Sequence, residues 1–597
     1  MAMKEIVKIL KTNLFFFLLL TIVVFSLYGK SINFKFTNHD DASLILNNIN
    51  YLSQWKNIPS LFTTSAYLSK NYFYYRPILT LSFSIEAILF YNNTKIYHLT
   101  NIILFILALY LMYIFLSKLQ INKTILKLLM ILLCIHPILT SSVVWVPARN
   151  DTLLAIFVFL SFLFFIRYLQ DNSIKNLALY ILSFVIALLT KESAILVVFL
   201  YVLFIYCFGY SLSKREILKN FLIFLCVFVI YFYLRSISVN IVRVNDHLIY
   251  FKDYFDNIIY GYAFFIYKIF CFFNIPIMVD GSNINKNLYL ISYLFLFLIL
   301  YIIYRKKIVS FKVLLFCLVW FFVWLLPTFL FLKSSYVLLF HRILIPFFAI
   351  ILACSNLLEK VYLKYKKIFL IVYVLLFGIL FFNSSLQANK YSSPESYIEY
   401  SKEYAWNGPA IQNIVVQEYM YKKDYDKALE AVKCFIEKYP DFIIGKIRMA
   451  QILYKQGKNK EAEQLYIELI PTAKEEAQYV CYKDLSMIYY EQKEFDKALF
   501  YGQQAYNLRP YNIEVSENMA IIYAQVGYYK EAIDILSRLL LFDKKNVQYI
   551  YNLGLLYEAI GNLNKAIEYA KLAVQKVPYD DGYKKYLEML ECKKNEV

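Results

Sequence analysis

Long apolar runs dominate the first two thirds of the chain, and a polar pattern with helical periodicity fills the rest. Residues 1–390 alternate between apolar runs and short basic loops, whereas residues 391–597 are polar. Many of the runs approach the roughly 20 residues that an α-helix needs to cross a bilayer. The pattern predicts an all-α protein, with a polytopic helical membrane core followed by a polar helical domain.

The hydropathy pattern predicts about eleven membrane spans within 1–390. Two further stretches, 77–90 and 258–279, carry polar residues and are either spans or helices that lie in the membrane interface. The first run follows three lysines, as in a signal sequence, but it lacks a small-residue cleavage site, so we expect it to remain as the first span. The predicted spans are 13–29, 97–117, 124–140, 149–167, 174–190, 193–211, 219–236, 287–304, 310–332, 336–356 and 367–383.

Basic residues decide the orientation of these spans. If neither uncertain stretch crosses and the N-terminus lies inside, every short basic cluster falls on the inner side, as the positive-inside rule requires. We therefore expect a cytoplasmic N-terminus and an extracytoplasmic polar domain. The clusters on the inner side are Lys4/Lys8/Lys11, Lys118/Lys123/Lys127, Arg167/Lys175, Lys214/Arg215/Lys219, Arg305/Lys306/Lys307/Lys312 and Lys360/Lys364/Lys366/Lys367.

Composition supports a membrane protein and argues against a nucleic-acid partner. The 597 residues are 60% hydrophobic, which is outside the range of ordinary soluble proteins. Residues 1–390 hold 35 Lys+Arg against 13 Asp+Glu, so the net charge of +19 belongs to the membrane part. No basic cluster with interleaved aromatic residues lies outside the apolar runs. The bias towards Lys, Asn, Ile and Tyr is typical of a bacterial protein, which predicts a multi-pass protein of the bacterial cytoplasmic membrane.

The polar part repeats with a period of about 34 residues. Ala428, Ala462, Ala498, Ala532 and Ala566 are separated by 34, 36, 34 and 34 residues, and prolines follow three of them at a distance of twelve. This period and pattern are typical of tetratricopeptide repeats, which stack as helical pairs into a solenoid. We predict a linker at 391–408, repeats at 409–442, 443–478, 479–512, 513–546 and 547–580, and a capping helix or tail at 581–597.

In the predicted topology, several ionisable residues share the outer face. Such residues at membrane depth are costly and often mark a site. Each one alone is more simply explained as structural, because arginines snorkel, histidines cap helices, and Lys191-Glu192 can be a neutralised pair. Their convergence on one face is the stronger signal. The residues are Asp40, Asp41, Arg76, His98, His136, Arg149, Asp151, Lys191, Glu192, His341 and Arg342.

The order of these motifs resembles a known family. The sequence contains Asp40-Asp41, Tyr75-Arg76-Pro77, Tyr97-His98, His136-Pro137, Arg149-x-Asp151 and Lys191-Glu192 in that order, followed by the repeats. This arrangement resembles the transmembrane and tetratricopeptide-repeat O-mannosyltransferases of the GT-C glycosyltransferase superfamily, and in particular a bacterial relative. Two positions depart from the family pattern, namely Ala148 in place of glycine and His341 in place of an acidic residue.

The resemblance implies a GT-C-type membrane domain over 1–390 with a large outer loop at 30–96. It implies transfer of a mannose-like sugar from a polyprenyl-phosphate donor to a Ser/Thr hydroxyl of a protein that the repeats bind. Asp40 or Asp41 would then be the catalytic base. The donor phosphate would be bound by Arg149, Arg76, Lys191 and His98.

Asp151, Glu192 and His136 are expected to orient these groups or to help hold a divalent metal, and the sequence leaves metal dependence open. It also leaves open the sugar, the polyprenol and the acceptor. Two other functions remain as alternatives. One is a non-catalytic membrane-anchored scaffold for envelope assembly, and the other is a transporter or flippase for lipid-linked sugars, which would gain little from the repeats.

Overall fold

The computed structural model describes residues 2–68, 74–239, 251–280, 286–306, 308–330, 337–405, 409–510, 512–542 and 546–595. Within these residues the chain forms 28 α-helices and one two-stranded antiparallel ribbon, in which Val279 pairs with Leu338. The predicted all-α architecture is confirmed. The chain divides into two compact units, of which the first contains 1–46 and 52–411 and the second contains 47–51 and 412–597.

The apolar part contains seventeen α-helices and the ribbon. Its first eight helices are α1 (Ala2–Tyr28), α2 (Asp40–Leu44), α3 (Ile49–Leu52), α4 (Pro77–Phe90), α5 (Thr94–Ser117), α6 (Lys123–Cys134), α7 (Thr140–Val144) and α8 (Arg149–Asp171). The following elements are α9 (Ile174–Thr190), α10 (Leu196–Phe208), α11 (Lys214–Ser238), α12 (Phe251–Phe270), β1 (Val279–Asp280), α13 (Lys286–Arg305), α14 (Phe311–Leu330), β2 (Val337–Leu338), α15 (Phe347–Lys364), α16 (Lys366–Asn389) and α17 (Pro394–Ala405).

Short 3₁₀ helices fill most of the connections in this part. They are Gly29–Asn33, Leu46–Asn48, Trp55–Asn57, Pro59–Thr63, Pro137–Leu139, Val146–Ala148, Glu192–Ile195 and Phe340–Ile343. Most of the predicted outer loop at 30–96 therefore consists of short helices, and it ends on the longer helices α4 and α5.

Six helices in the described part are long and apolar enough to cross a membrane, and a seventh is reached if two helices joined at a 58° bend are counted as one span. The bent pair is α6 together with residues 137–144, and Pro137, which cannot continue the hydrogen bonding of α6, directly follows the break at 135–136. Three of the predicted spans, 174–190, 193–211 and 287–304, correspond to shorter apolar helices, and two more short apolar helices, Pro77–Phe90 and Ile258–Phe270, are the stretches whose crossing the sequence leaves open. The six are Asn13–Asn33, Thr94–Ser117, Val146–Asp171, Lys214–Ser238, Phe311–Phe329 and Lys366–Asn389.

The prediction of one continuous span at 336–356 is wrong. The described part of this segment consists of β2, the 3₁₀ turn Phe340–Ile343 and the start of α15. Pro346 directly precedes α15 and has no N–H group for a helix that would arrive from upstream. The segment therefore turns at His341 and Arg342 and does not continue as a straight helix.

Basic residues gather at one end of the first unit. At that end, the Lys219 ammonium lies over the Tyr168 ring near the end of α8, and the Lys312 ammonium lies over the Tyr206 ring near the end of α10. Asn122, at the start of α6, donates to Glu359 near the end of α15. The acidic and basic residues near the start of α8 lie at the opposite end, about 30 Å away along that helix.

The second unit forms a solenoid of helix pairs, which confirms the prediction. It forms five helix pairs and a final helix, although the third pair begins four residues earlier than predicted. The helices are α18 (Pro409–Tyr421), α19 (Tyr425–Lys438), α20 (Ile443–Lys455), α21 (Asn459–Leu469), α22 (Glu475–Glu491), α23 (Phe495–Leu508), α24 (Ile513–Val526), α25 (Tyr529–Phe542), α26 (Val547–Ala559), α27 (Leu563–Lys576) and α28 (Asp581–Asn595).

The repeated alanines and the turn residues explain why this sequence forms stacked pairs. All five repeat alanines are fully buried on the second helix of their pair, where only a small side chain allows close packing. One residue in each turn between paired helices has a positive φ, and it lies two residues before the second helix: Lys423, Gly457, Lys493, Gly527 or Gly561. The sequence thus encodes both the close contact and the turn.

The segment 391–408, predicted as a linker, contains helix α17. This helix belongs to the first compact unit. The Tyr397 ring of α17 lies 5.8 Å from the Tyr391 ring, and both side chains are buried. The segment is therefore part of the apolar domain's structure.

Candidate functional site

Asp40 and Asp41 begin helix α2 and have different environments. Asp41 is buried, and its carboxylate accepts hydrogen bonds from the Thr37 N–H (2.6 Å), the Thr37 hydroxyl (3.0 Å) and the His39 N–H (2.9 Å). Burial raises the pKa of Asp41, against the lowering effect of these hydrogen bonds. Asp41 thus holds the backbone before α2 in place, which is a structural task for one of the two predicted bases.

Asp40 is the more accessible of the two carboxylates. Its side chain is 35% exposed, and it lies 3.2 Å from Nδ1 of His39. Partial burial acts to raise the pKa of Asp40, but the charge and hydrogen bond of His39, helped by His341 and Arg76, lower it overall. Of the two predicted catalytic residues, Asp40 is the one that a substrate can reach.

Aromatic rings surround the Asp40–His39 pair. The His39 ring lies 5.7 Å from the ring of Tyr397, and Tyr397 is stacked against Trp145 at 6.4 Å. The Trp145 indole N–H donates to the Thr37 hydroxyl, and its ring lies 5.3 Å from His341. These rings connect the Asp40 carboxylate to a second charged cluster.

The second cluster is centred on Asp151. The Lys191 ammonium donates to both Asp151 oxygens at 2.8 Å, and His341 Nε2 lies 3.4 Å from the same carboxylate. Burial lowers the pKa of Lys191 to about 8, although the Asp151 charge acts in the opposite direction. Of the groups that Asp151 is expected to orient, it contacts Lys191 and not Arg149.

Two polar nitrogens in this region are buried without a hydrogen-bond partner among the described residues. They are Nε of Arg342, which is a donor, and Nδ1 of His341, which is an acceptor in the neutral ring when Nε2 carries the hydrogen that faces Asp151. Arg342 also acts electrostatically on both Asp151 and Lys191. Buried donors are normally satisfied, so Nε of Arg342 is available to a bound acceptor group.

Arg76 and Glu192 form a two-pronged ion pair beside this cluster. The Arg76 guanidinium donates to the two Glu192 oxygens at 3.0 and 2.5 Å, and it also lies over the Tyr74 ring. The pair joins the outer loop to the start of the helix that follows Lys191. Glu192 is thus tied to Arg76, and Arg76 is within electrostatic reach of Asp40.

Arg149 is fully buried in the helical core and has a structural environment. Its guanidinium donates to Glu86 (2.6 Å), Asn101 (2.7 Å) and the Tyr97 carbonyl (2.9 Å), and it lies over the Phe83 ring. With these contacts made, Arg149 is not positioned to bind a phosphate at the surface of the site. The cations that act electrostatically on Asp151 or Asp40 are instead Lys191, Arg342 and Arg76.

The two predicted histidines are also buried away from these charges. Nε2 of His136 lies 3.1 Å from the Ile269 carbonyl, and its Nδ1 accepts from the Ile138 N–H, so His136 caps a 3₁₀ turn. The His98 ring is buried beside Phe34. Neither side chain joins the Asp40 or the Asp151 cluster through a described contact.

The predicted acids do not gather into a metal centre. Among the residues that the structure describes, no group of three or more His, Cys, Asp or Glu side chains is arranged to hold a metal ion. Each predicted acid other than Asp40 has a cationic or backbone partner already described.

Sequence reasoning did not identify three residues that belong to this site. His39 adjoins the acidic pair and was a detectable candidate. Trp145 lies four residues before the Arg149-x-Asp151 motif, but no role was assigned to it. Tyr397 lay in the predicted linker, where no local pattern distinguishes a tyrosine that faces a site from one at the surface.

The solenoid contains a separate cavity of about 300 Å³. The first helices of repeats one to four line it. At its wall, Asp484 accepts from Gln451 (3.0 Å) and Tyr466 (2.8 Å), while Lys483 lies 2.7 Å from Glu514. The half-buried amide of Asn518 also faces the cavity. Such a mixed polar and apolar cavity suits a polypeptide side chain.

Comparison with known proteins identifies the type of repeat in the second unit. A family model for the tetratricopeptide repeat matches residues 489–553, and another matches 547–575. A human protein, general transcription factor 3C polypeptide 3, is 25% identical over 182 residues, which is 30% of this chain and 19% of that protein's length. The second unit is a solenoid of tetratricopeptide repeats.

Solved tetratricopeptide-repeat proteins resemble part of the chain. YrrB, described as having an unusual peptide-binding site, is 16% identical, with a TM-score of 0.27, over 34% of this chain and 98% of its own. A thermophilic repeat protein of Thermus thermophilus, TTC0263, is 16% identical, with a TM-score of 0.24, over 31% of this chain and 100% of its own. MamA is 20% identical, with a TM-score of 0.24, over 27% and 94%.

Proposed function

We propose that this protein is a membrane glycosyltransferase that moves a sugar, mannose-like by its family resemblance, from a polyprenyl-phosphate donor to a Ser/Thr hydroxyl of a polypeptide. The single observation that carries the proposal is the partly exposed Asp40 carboxylate beside a group of cations that includes the unpartnered Nε of Arg342. A carboxylate for the acceptor and cations for the leaving phosphate are the two requirements of this reaction.

Asp40 acts on the acceptor in this proposal. Its lowered pKa keeps the carboxylate ionised at neutral pH, so it accepts a hydrogen bond from the incoming hydroxyl. The hydroxyl oxygen attacks the anomeric carbon, and its proton passes to Asp40 as the new C–O bond forms. The bond from that carbon to the phosphate oxygen breaks, and direct displacement inverts the anomeric centre.

Lys191, Arg342 and Arg76 act on the leaving group. Negative charge grows on the polyprenyl phosphate as the C–O bond breaks, and fixed cations stabilise this charge in a site that excludes water. The unpartnered Nε of Arg342 supplies a donor that needs no other bond to be broken. Lys191 remains attached to Asp151, which keeps its ammonium in position.

A membrane location supports this donor. Helices α11 and α16 are long and apolar, yet only 11% of the apolar stretch of each helix is buried within the protein. Apolar surfaces of this size are rare on soluble proteins and are covered by lipid in membrane proteins. We infer an integral bacterial membrane protein with its basic loops in the cytoplasm and its repeats on the extracytoplasmic side.

The repeats bind the acceptor polypeptide in this proposal. The cavity lined by Met487 and Asn518 offers an apolar wall and an amide to such a chain. Asn518→Trp would fill the cavity and should reduce transfer to protein acceptors. Hydrolysis of the donor by water should continue at the wild-type rate, because Asp40 and the cations are unchanged.

Sugar transfer in membranes tests the enzyme directly. Membranes with the full chain would receive a panel of radiolabelled polyprenyl-phosphate sugars, and label entering protein would be measured. Asp40→Asn should reduce transfer by about 100-fold or more, in line with the loss of a general base. Asp534→Asn makes the same chemical change at an exposed position of the solenoid and should have no effect.

A membrane-anchored scaffold is the second candidate, and the ion pairs favour it. Arg149–Glu86, Arg76–Glu192 and Lys191–Asp151 each join separate elements and are already satisfied. If these pairs serve only to hold the helices, Lys191→Met together with Asp151→Leu should leave every measured property intact apart from small stability changes. Loss of sugar transfer in that folded double variant would support the enzyme.

A further inference from the structure

An apolar cleft of about 730 Å³ lies between helices α6, α15 and α16. It follows α16 from Tyr365 to Leu380, a distance of about 22 Å at 1.5 Å per residue. The Tyr373 hydroxyl within it donates to the Leu128 carbonyl, so this polar group is already satisfied. The cleft is therefore long, apolar and suited to a hydrocarbon chain. Its length exceeds the depth of one bilayer leaflet, which is about 15 Å.

Lysines surround one end of this cleft. The cleft-lining residues at that end are Ile125, Val361 and Ile368. Exposed lysines flank them in sequence on all three helices. These lysines are Lys123, Lys360, Lys364, Lys366 and Lys367.

We propose that the cleft binds one anionic phospholipid, with an acyl chain in the cleft and the phosphate among these lysines. Two independent features select this ligand, because the channel requires a hydrocarbon chain and the lysine cluster requires a negative head group. Basic sites between membrane helices bind anionic head groups in this way. The proposal rests on the membrane location but not on sugar transfer, so it stands or falls separately from the enzyme.

Lipid retention by the purified full chain tests this site. The protein in detergent would be incubated with dioleoylphosphatidylglycerol or with dioleoylphosphatidylcholine, which carries the same chains, and retained lipid would be counted by native mass spectrometry. We expect one phosphatidylglycerol per chain, and phosphatidylcholine should bind at least about tenfold more weakly because it lacks the net charge.

Matched variants separate the head-group contact from general charge. Lys366→Gln/Lys367→Gln removes two lysines from the first turn of α16 and should weaken phosphatidylglycerol binding about 10- to 100-fold. Lys214→Gln/Arg215→Gln removes two cations from the first turn of α11, which does not line the cleft, and should leave binding unchanged. Equal losses in the two variants would overturn the proposal.

A second pair of variants tests the chain-binding channel. Leu376→Trp fills the cleft and should abolish retention of the lipid. Leu375→Trp changes the neighbouring exposed residue, which does not line the cleft, and should leave retention unchanged.

Equal retention of the two phospholipids would overturn the proposal. So would retention of a polyprenyl phosphate in place of phosphatidylglycerol, which would assign the cleft to the donor of the proposed reaction.

Discussion

The guanidinium of Arg149 donates to the carboxylate of Glu86 over 2.6 Å, although the two residues are 63 positions apart in the sequence. The Arg149 side chain is fully buried and that of Glu86 is 7% exposed. The pair joins helix α4 to the start of α8. An arginine that resembles a phosphate ligand in the sequence is thus part of the helical core.

Breaking this pair should destabilise the protein strongly. Glu86→Gln leaves the buried Arg149 charge without its counterion, and loss of one partner from a buried pair costs about 3–5 kcal/mol. The free energy of unfolding in mixed detergent micelles measures the effect. Asp534→Asn breaks the exposed pair with Arg538 and should cost less than about 1 kcal/mol. Equal effects would show that the Arg149 pair is not desolvated.

His39 should make stability depend on pH. Burial alone would lower its pKa, but the Asp40 charge raises it above the unfolded value of about 6.5. The stabilisation is therefore complete below pH 6.5 and is lost as the pH rises through the folded pKa. Wild type should lose stability relative to His39→Gln as the pH rises above about 6.5, and a constant difference between the two proteins would contradict this.

A turn glycine of the solenoid should be sensitive to substitution. Gly527 has a φ of +90°, a conformation that costs other residues about 1 kcal/mol or more, and no neighbouring atom would meet an added Cβ. Gly527→Ala should raise hydrogen exchange in repeat four of the full chain through backbone strain. Gly527→Asn is the control, because asparagine tolerates a positive φ, and it should have a smaller effect.

Asn172 and Lys390 should lie on opposite sides of the membrane. Asn172 follows α8 at the basic end of the first unit. Lys390 follows the C-terminal end of α16, the end at which the Ser384 hydroxyl donates to the Ile135 carbonyl. Fusions of a cytoplasm-specific and an export-specific reporter after each residue test this. A cytoplasmic reporter at Lys390 would refute the proposed orientation.

The solenoid could be predicted from sequence because its signal is periodic. Buried alanines recur with the helical pair, and each lies on a close helix contact in the structure. The site was predicted less well because its residues are joined by the fold and not by spacing. Asp40, Lys191 and Arg76 do lie near one another, but Asp151 pairs with Lys191 and not with Arg149, and Tyr397 comes from a segment predicted as linker.

The ends of the apolar segments were also difficult to predict. Hydropathy alone merged the ribbon, the turn at His341 and helix α15 into one span, because apolar strands, turns and helices have the same average composition. Pro346 marked the true start of that helix. Buried partners such as Glu86 and Arg149 cannot be paired from one sequence, since either residue alone has several candidates.

Sugar transfer by wild-type and Asp40→Asn protein is the measurement that tests the proposed function most directly. Membranes with equal amounts of each folded protein would receive the same radiolabelled polyprenyl-phosphate sugars, and label in protein would be followed with time. The proposal predicts transfer from at least one donor by the wild type and a loss of about 100-fold or more in the variant. Equal transfer by both proteins, or none from any donor, would contradict it.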